Sequence, residues 1–153
     1  MEKYNCSWDE DTGVAIYTIF YDDETFTGHA ICHTDDKDMQ SERVGTAIAQ
    51  SRAMIKLYQF IRDHEIKPQL KALKQLYYSM NRSKEFNPKS YENYMLYRQV
   101  RLLENDLVAV KEMLAITRRE LKDYIEAKDK MYKLIRAKRE GQTQSIISEQ
   151  ISE

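Results

Sequence analysis

From Pro88 to Arg139 the chain contains no further proline and no glycine, and apolar side chains recur every three or four residues. Read in sevens, Val100, Leu107, Leu114, Leu121, Lys128 and Ile135 share one position, and Leu96, Leu103, Val110, Thr117, Tyr124 and Met131 share a second. Ten of these twelve are apolar, so the pattern predicts one long helix over 88–139 with a buried, coiled-coil-like seam. A second set lies off the seam: Leu102, Val108, Met113, Ile116, Ile125, Tyr132 and Leu134. Two apolar stripes on one helix call for two packing partners. An intrachain helix serves as one and a copy from another subunit as the other, which predicts a homo-oligomer, with a dimer favoured.

The partner helix comes earlier in the chain. Val44, Ala47, Ile48, Ile55, Tyr58 and Ile61 repeat at helical spacing, and the pattern resumes with Ile66, Leu70, Leu73, Leu76, Tyr77 and Met80. Pro68 predicts a kink or break within this helical stretch of 40–80, near His64 to Lys67. Residues 81–87 form a short connection before Pro88, so the two helices should return on each other as an antiparallel hairpin. Upstream, Val14 to Tyr21 is rich in β-branched and aromatic residues, and Thr25 to His33 reads as its returning strand, with Lys3 to Trp8 as a third. Gly28 inside a strand predicts a bulge or the close approach of another backbone, and Gly45, one turn into the first helix, suits such a contact. A sheet this small is unstable alone and must pack on a helix. The expected fold is therefore α+β: an N-terminal antiparallel hairpin or three-stranded meander packed on a helix, then a long helical hairpin. Residues 1–140 are expected to form one domain, with 1–39 as its acidic β part, and 141–153 a flexible polar tail.

Net charge is −1, but it is distributed unevenly. Residues 1–40 carry two basic and ten acidic side chains, whereas 89–139 carry thirteen basic and eight acidic. An acidic first quarter joined to basic helices favours mutual attraction, within one molecule or between subunits, and leaves open a nucleic-acid-binding face. No apolar run approaches the ~20 residues a bilayer span requires. Acidic residues, not an apolar core, follow Met1 to Cys6, so no membrane association and a cytoplasmic location are expected. The two cysteines, Cys6 and Cys32, read as packed thiols in a reducing compartment.

Candidate chemistry is sparse. Tyr77, Tyr78, Arg82, Lys84, Phe86, Lys89, Tyr91, Tyr94, Tyr97, Arg98 and Arg101 interleave rings with cations around the helical connection. Tyrosine rings stack on bases while arginine and lysine meet phosphates, so Arg82, Lys84, Tyr91, Tyr94, Arg98 and Arg101 are candidates for binding a nucleotide or nucleic acid. The competing reading makes these tyrosines the end of the helical hairpin, with wet hydroxyls. His29 and His33 fall on one face of a strand, with Cys32 on the other and Asp35, Asp36 and Asp38 following. Their spacing matches no established zinc pattern, and an edge strand with outward polar residues, followed by a capped helix start, is the favoured account of them. Neither a Ser-His-Asp or Cys-His arrangement nor a glycine-rich phosphate loop is present, so neither enzyme activity nor a cofactor is expected.

Thr27-Gly28-His29-Ala30-Ile31-Cys32-His33, then Asp35 to Asp38, Gly45, Ile48-Ala49, Arg52-Ala53 and Ile55-Lys56, resembles a group of small accessory proteins of phages and prophages of Gram-positive bacteria. In them a strand of the form Gly-x-Ala-x-Cys-x-x-x-Asp leads into a helix containing Ala-x-x-Arg-Ala. The resemblance covers about thirty residues. It implies a non-enzymatic interaction protein working in the host cytosol, inhibiting a host or antiviral-defence protein from a helical oligomeric scaffold. The Tyr/Arg cluster keeps open the alternative of nucleotide or nucleic-acid binding, including sequestration of a nucleotide signal.

Overall fold

The computed structural model describes residues 3–31, 42–81 and 91–152, with the side chains of residue 81 and of 143–152 excepted. Three strands, β1 (Lys3–Asp9), β2 (Val14–Tyr21) and β3 (Glu24–Ile31), form one antiparallel meander in the order β1-β2-β3. Helix α1 (Glu42–Phe60), a π-helical turn (Ile61–Ile66) and α2 (Lys67–Asn81) follow without interruption, and α3 spans Tyr91–Ser152. The fold is α+β. Two compact units divide it: Met1–Met54 with Arg118–Glu153, and Ile55–Thr117. Helices α1 and α3 each supply residues to both units.

In the first unit the turns are built by local chemistry. Asp9 Oδ1 accepts the Asp11 N–H at 2.9 Å, and Gly13, at φ 67, donates its N–H to Asp9 O at 2.8 Å. The Asp11 N–H bond, then the Thr12 side chain, hold the Asp9 carboxyl below its ordinary pKa. Between β2 and β3 the loop is only Asp22-Asp23, and Asp22 takes the positive φ of 49 that tight hairpins require of a loop residue. The register pairs Ala15 with Ala30, Tyr17 with Gly28 and Ile19 with Phe26. Ala15, Tyr17, Ile19 and Ala30 are buried on that face, with Tyr4 stacked on Tyr17 at 5.5 Å between centroids.

Helix α1 covers this face with a stripe of small residues, Gly45, Ala49 and Ala53, all buried. The backbones approach so closely that a Cβ at Gly28 would overlap the Ala49 carbonyl oxygen and stand 2.6 Å from Ala53 N. The close approach expected at Gly28 is therefore real. Arg52, on the same helix, donates to His29 O at 2.6 Å. Lys128, the charged member of the α3 seam, donates to Ile31 O at 3.0 Å and lies 5.6 Å from the Tyr132 ring centre.

In the second unit α2 and α3 run antiparallel. Tyr77 meets Tyr97 at 6.2 Å between ring centres, and Lys74 pairs with Glu104 at 3.2 Å. Leu96, Val100, Val110, Leu114 and Thr117 are buried as the heptad pattern predicts. Thr117 is satisfied by donating its hydroxyl to Met113 O at 2.7 Å, one turn back in its own helix.

Beyond Thr117 the seam departs from the heptad. Tyr124, expected inside, is exposed, whereas Tyr132, expected on the second stripe, is only 6% exposed. The half-buried or buried set becomes Leu121, Ile125, Lys128, Met131, Tyr132, Ile135 and Arg139. A straight helix of 3.6 residues per turn drifts by ~20° per heptad against a strict 3.5 repeat. After three heptads the buried line takes in the next position, while Leu121, Lys128, Met131 and Ile135 stay half-buried at their heptad places. The helix also continues through Gly141 to Ser152.

Candidate interaction surface

The proline at 68 neither breaks nor ends the helix. Proline lacks an N–H and its ring collides with the carbonyl four residues back, so a regular α-helix through Pro68 would be strained at His64. Here Lys67 N–H bonds to Arg62 O, five residues earlier, and six residues take the wider π geometry. That turn also sets phase. Leu57 and Ile66 are both buried but nine residues apart, which on a uniform α-helix puts them on opposite sides. The wider turn absorbs about one residue and returns Ile66, and then Leu70, to the buried side. On the outside of the turn Arg62 and Asp63 form a two-point ion pair at 2.8 and 3.0 Å, with Lys67 Nζ at 3.6 Å from Asp63. The Arg62 guanidinium is the main cause holding the Asp63 carboxyl below its usual range.

Since burying Ile66 and Leu70 is worth ~1.5–3 kcal/mol each, packing rather than the proline should hold the π turn. Pro68→Ala is accordingly expected to leave the turn in place, with stability changed by less than ~1 kcal/mol in chemical denaturation. A change well above that would assign the turn to the proline itself.

Beside this turn lies a groove of about 460 Å³, walled by Ile61, Glu65, Ile66 and Gln69 on one side and by Leu103, Asp106, Ala109, Val110 and Met113 of α3 on the other. Its floor is apolar and its rim carries two carboxylates. Leu102, Met113 and Ile116, from the second stripe, are exposed along the same flank of α3 as Asp106 and Ala109. Val108 and Leu134, also from that stripe, are exposed elsewhere on the helix. Sequence reasoning did not single out Glu65, Gln69 or Asp106; a proline inside an otherwise helical pattern was the available signal.

The residues predicted to bind nucleotides are only partly brought together. Tyr91 and Tyr94 are exposed at 74% and 58%, and Arg98 is exposed with no ion-pair partner among the described residues. Arg101 is instead tied to Glu104 at 3.4 Å, which Lys74 also engages. Tyr77 is half-buried against Tyr97, as in the reading that makes these rings the end of the hairpin. Arg82, Lys84, Cys32 and His33 lie outside the described residues. His29 is exposed, and among the described residues no group of three or more His, Cys, Asp or Glu side chains could hold a metal ion. Cys6 is exposed, its Sγ 4.0 Å from Thr46 Oγ1.

Fold and groove together define a small α+β protein with an apolar cleft that carries two carboxylates, Glu65 and Asp106, in its lining. No helix among the described residues is long and apolar enough to cross a membrane. Comparison with protein-family models, curated proteins and solved structures returns no match for this chain.

Proposed function

We propose that this chain is a non-enzymatic interaction protein whose working surface is the groove beside the π turn. The observation that carries this reading is the juxtaposition of an open apolar cleft with exposed Leu102, Met113 and Ile116 on the adjoining flank of α3. Exposed apolar side chains clustered beside a cleft mark protein contact surfaces. The occupant that fits is a partner's amphipathic segment, its apolar row seated on Ile61, Ile66 and Met113 and its basic residues facing Glu65 and Asp106. The resemblance to phage accessory proteins makes a host or antiviral-defence protein the partner, and inhibition the outcome.

The test is affinity capture from bacterial lysate with the wild-type chain and with Met113→Glu, whose exposed position tolerates charge without unfolding. A partner retained by the wild type and lost by the variant, at equal melting temperature, supports the reading. Equal capture by both would remove the groove as the contact surface.

A second reading is favoured by the exposed Tyr91, Tyr94 and Arg98, which suit stacking on a base and pairing with a phosphate. Binding of a nucleotide, including sequestration of a nucleotide signal, would raise the melting temperature with ligand concentration. Tyr94→Ala with Arg98→Ala would abolish that rise. Nucleic-acid binding would instead weaken steeply with salt.

A further inference from the structure

The two outer edges of the sheet are treated differently. Because only two residues separate β2 from β3, Tyr21 and Glu24 close the hairpin as a hydrogen-bonded pair. Alternation from that pair directs the backbone groups of Glu24, Phe26, Gly28 and Ala30 to β2, and those of Thr25, Thr27, His29 and Ile31 outward. Two of those outward carbonyls are occupied: Arg52 caps His29 O and Lys128 caps Ile31 O. Cations placed on an edge block further strand pairing.

Among the described residues the β1 edge has no such guard. The same alternation carries through β2 and directs Lys3, Asn5, Ser7 and Asp9 inward, leaving Tyr4, Cys6 and Trp8 to present their N–H and C=O groups outward. Among the described residues, nothing bonds to those six groups. Tyr4 is 70% exposed, and neither lysine nor proline interrupts the outward positions.

The strand is also complementary to itself. Set antiparallel on a second copy with Cys6 opposite Cys6, Lys3 falls opposite Asp9, Tyr4 opposite Trp8 and Asn5 opposite Ser7. This is the one register that pairs all seven residues. Parallel pairing would set Lys3 beside Lys3 and Asp9 beside Asp9, and an antiparallel shift leaves Lys3 or Asp9 without its opposite charge. Charge pairs and aromatic pairs directly opposite each other are the stabilising cross-strand contacts of a sheet. Tyr4 already stacks on Tyr17, so Trp8 of the second copy would extend an existing aromatic row.

We infer that β1 pairs with β1 of a second copy about a dyad at Cys6, joining two meanders into one six-stranded antiparallel sheet. All six outward groups of each strand then find partners: two bonds between the Cys6 residues and two in each Tyr4–Trp8 pair. The interface is isologous, as a closed twofold dimer requires. It differs from the α3 stripe as an oligomerisation surface and does not depend on the groove.

Sedimentation of the full chain tests it. The wild type is expected at twice the 18.2 kDa chain mass. Cys6→Pro keeps the bonds to β2, since Cys6 faces outward, and removes two of the six intersubunit bonds, which weakens dimerisation roughly 30-fold. Lys3→Glu alone opposes two carboxylates at each end of the pair, and Asp9→Lys alone opposes two ammonium groups, so each variant sediments as a monomer. Mixed in equal amounts they regain opposite charges at both ends and form the heterodimer. Circular dichroism establishes that each variant keeps the wild-type fold, and Lys3→Glu, at the strand's exposed start, serves if Cys6→Pro does not. A monomeric wild type, a dimer indifferent to these substitutions, or variants that fail to associate on mixing would overturn the inference.

Discussion

Gly28→Ala is expected to be the most damaging single-methyl change in this protein, lowering stability by about 3 kcal/mol or more in chemical denaturation. The added Cβ would overlap the Ala49 carbonyl oxygen, stand 2.6 Å from Ala53 N and meet Ala49 C at 3.0 Å. These are backbone atoms, so no side-chain rotation relieves the contact; helix α1 must move off the sheet. Moving it would uncover Ala15, Tyr17, Ile19 and Ala30 on the sheet and Ile48, Ala49 and Ala53 on the helix, all buried now. It would also pull Arg52 from His29 O. Trimming the facing side chain with Ala49→Gly should give no rescue, because the obstacle is a carbonyl and not a methyl group. If Gly28→Ala unfolds within about 1 kcal/mol of the wild type, the sheet and α1 are not in this close contact.

The second large effect is expected at Leu114. Its side chain is 1% exposed and among the largest fully buried ones. Leu114→Ala should cost ~3 kcal/mol, combining lost transfer energy with the cavity left behind. In a chain of this size that lowers the melting temperature by roughly 10 °C. Leu134, on the same helix but 71% exposed, supplies the contrast. Leu134→Ala should stay within about 0.5 kcal/mol of the wild type. Equal losses at both positions would mean that α3 buries a different face from the one described.

The small residues shared between β3 and α1 take on a physical meaning here. Gly28 is the point of closest backbone approach, Ala49 and Ala53 are the small residues that permit it, and Arg52 caps the strand edge. These positions hold strand to helix. A motif of this kind reports a way of packing and carries no chemistry of its own, which is why the functional reading rests on the groove and the exposed flank of α3.

Much of the architecture was legible in the residues themselves. The β-branched run Val14 to Tyr21, the turn residues around Gly13 and Asp22, and the long apolar repeat from Leu96 are local signals. Backbone preference and side-chain period act within a few residues, so the meander, the helices and the seam through Thr117 follow from sequence. The glycine in β3 announced a bulge or a close neighbour, and the packing of α1 shows it to be the second.

What the tertiary structure alone decided is phase and pairing at a distance. Heptad counting carries no record of the drift of a straight helix, so it misassigned Tyr124 and Tyr132. Lys128 looked like a flaw in the seam until the strand edge it caps, ninety-seven residues earlier, came beside it. Pro68 signalled a disturbance, but whether it would kink, break or widen the helix depended on which side Ile66 and Leu70 had to face. Local energies of about 1 kcal/mol per residue propose the elements. The larger gain from burying whole side chains against one another then chooses how those elements are rotated and joined.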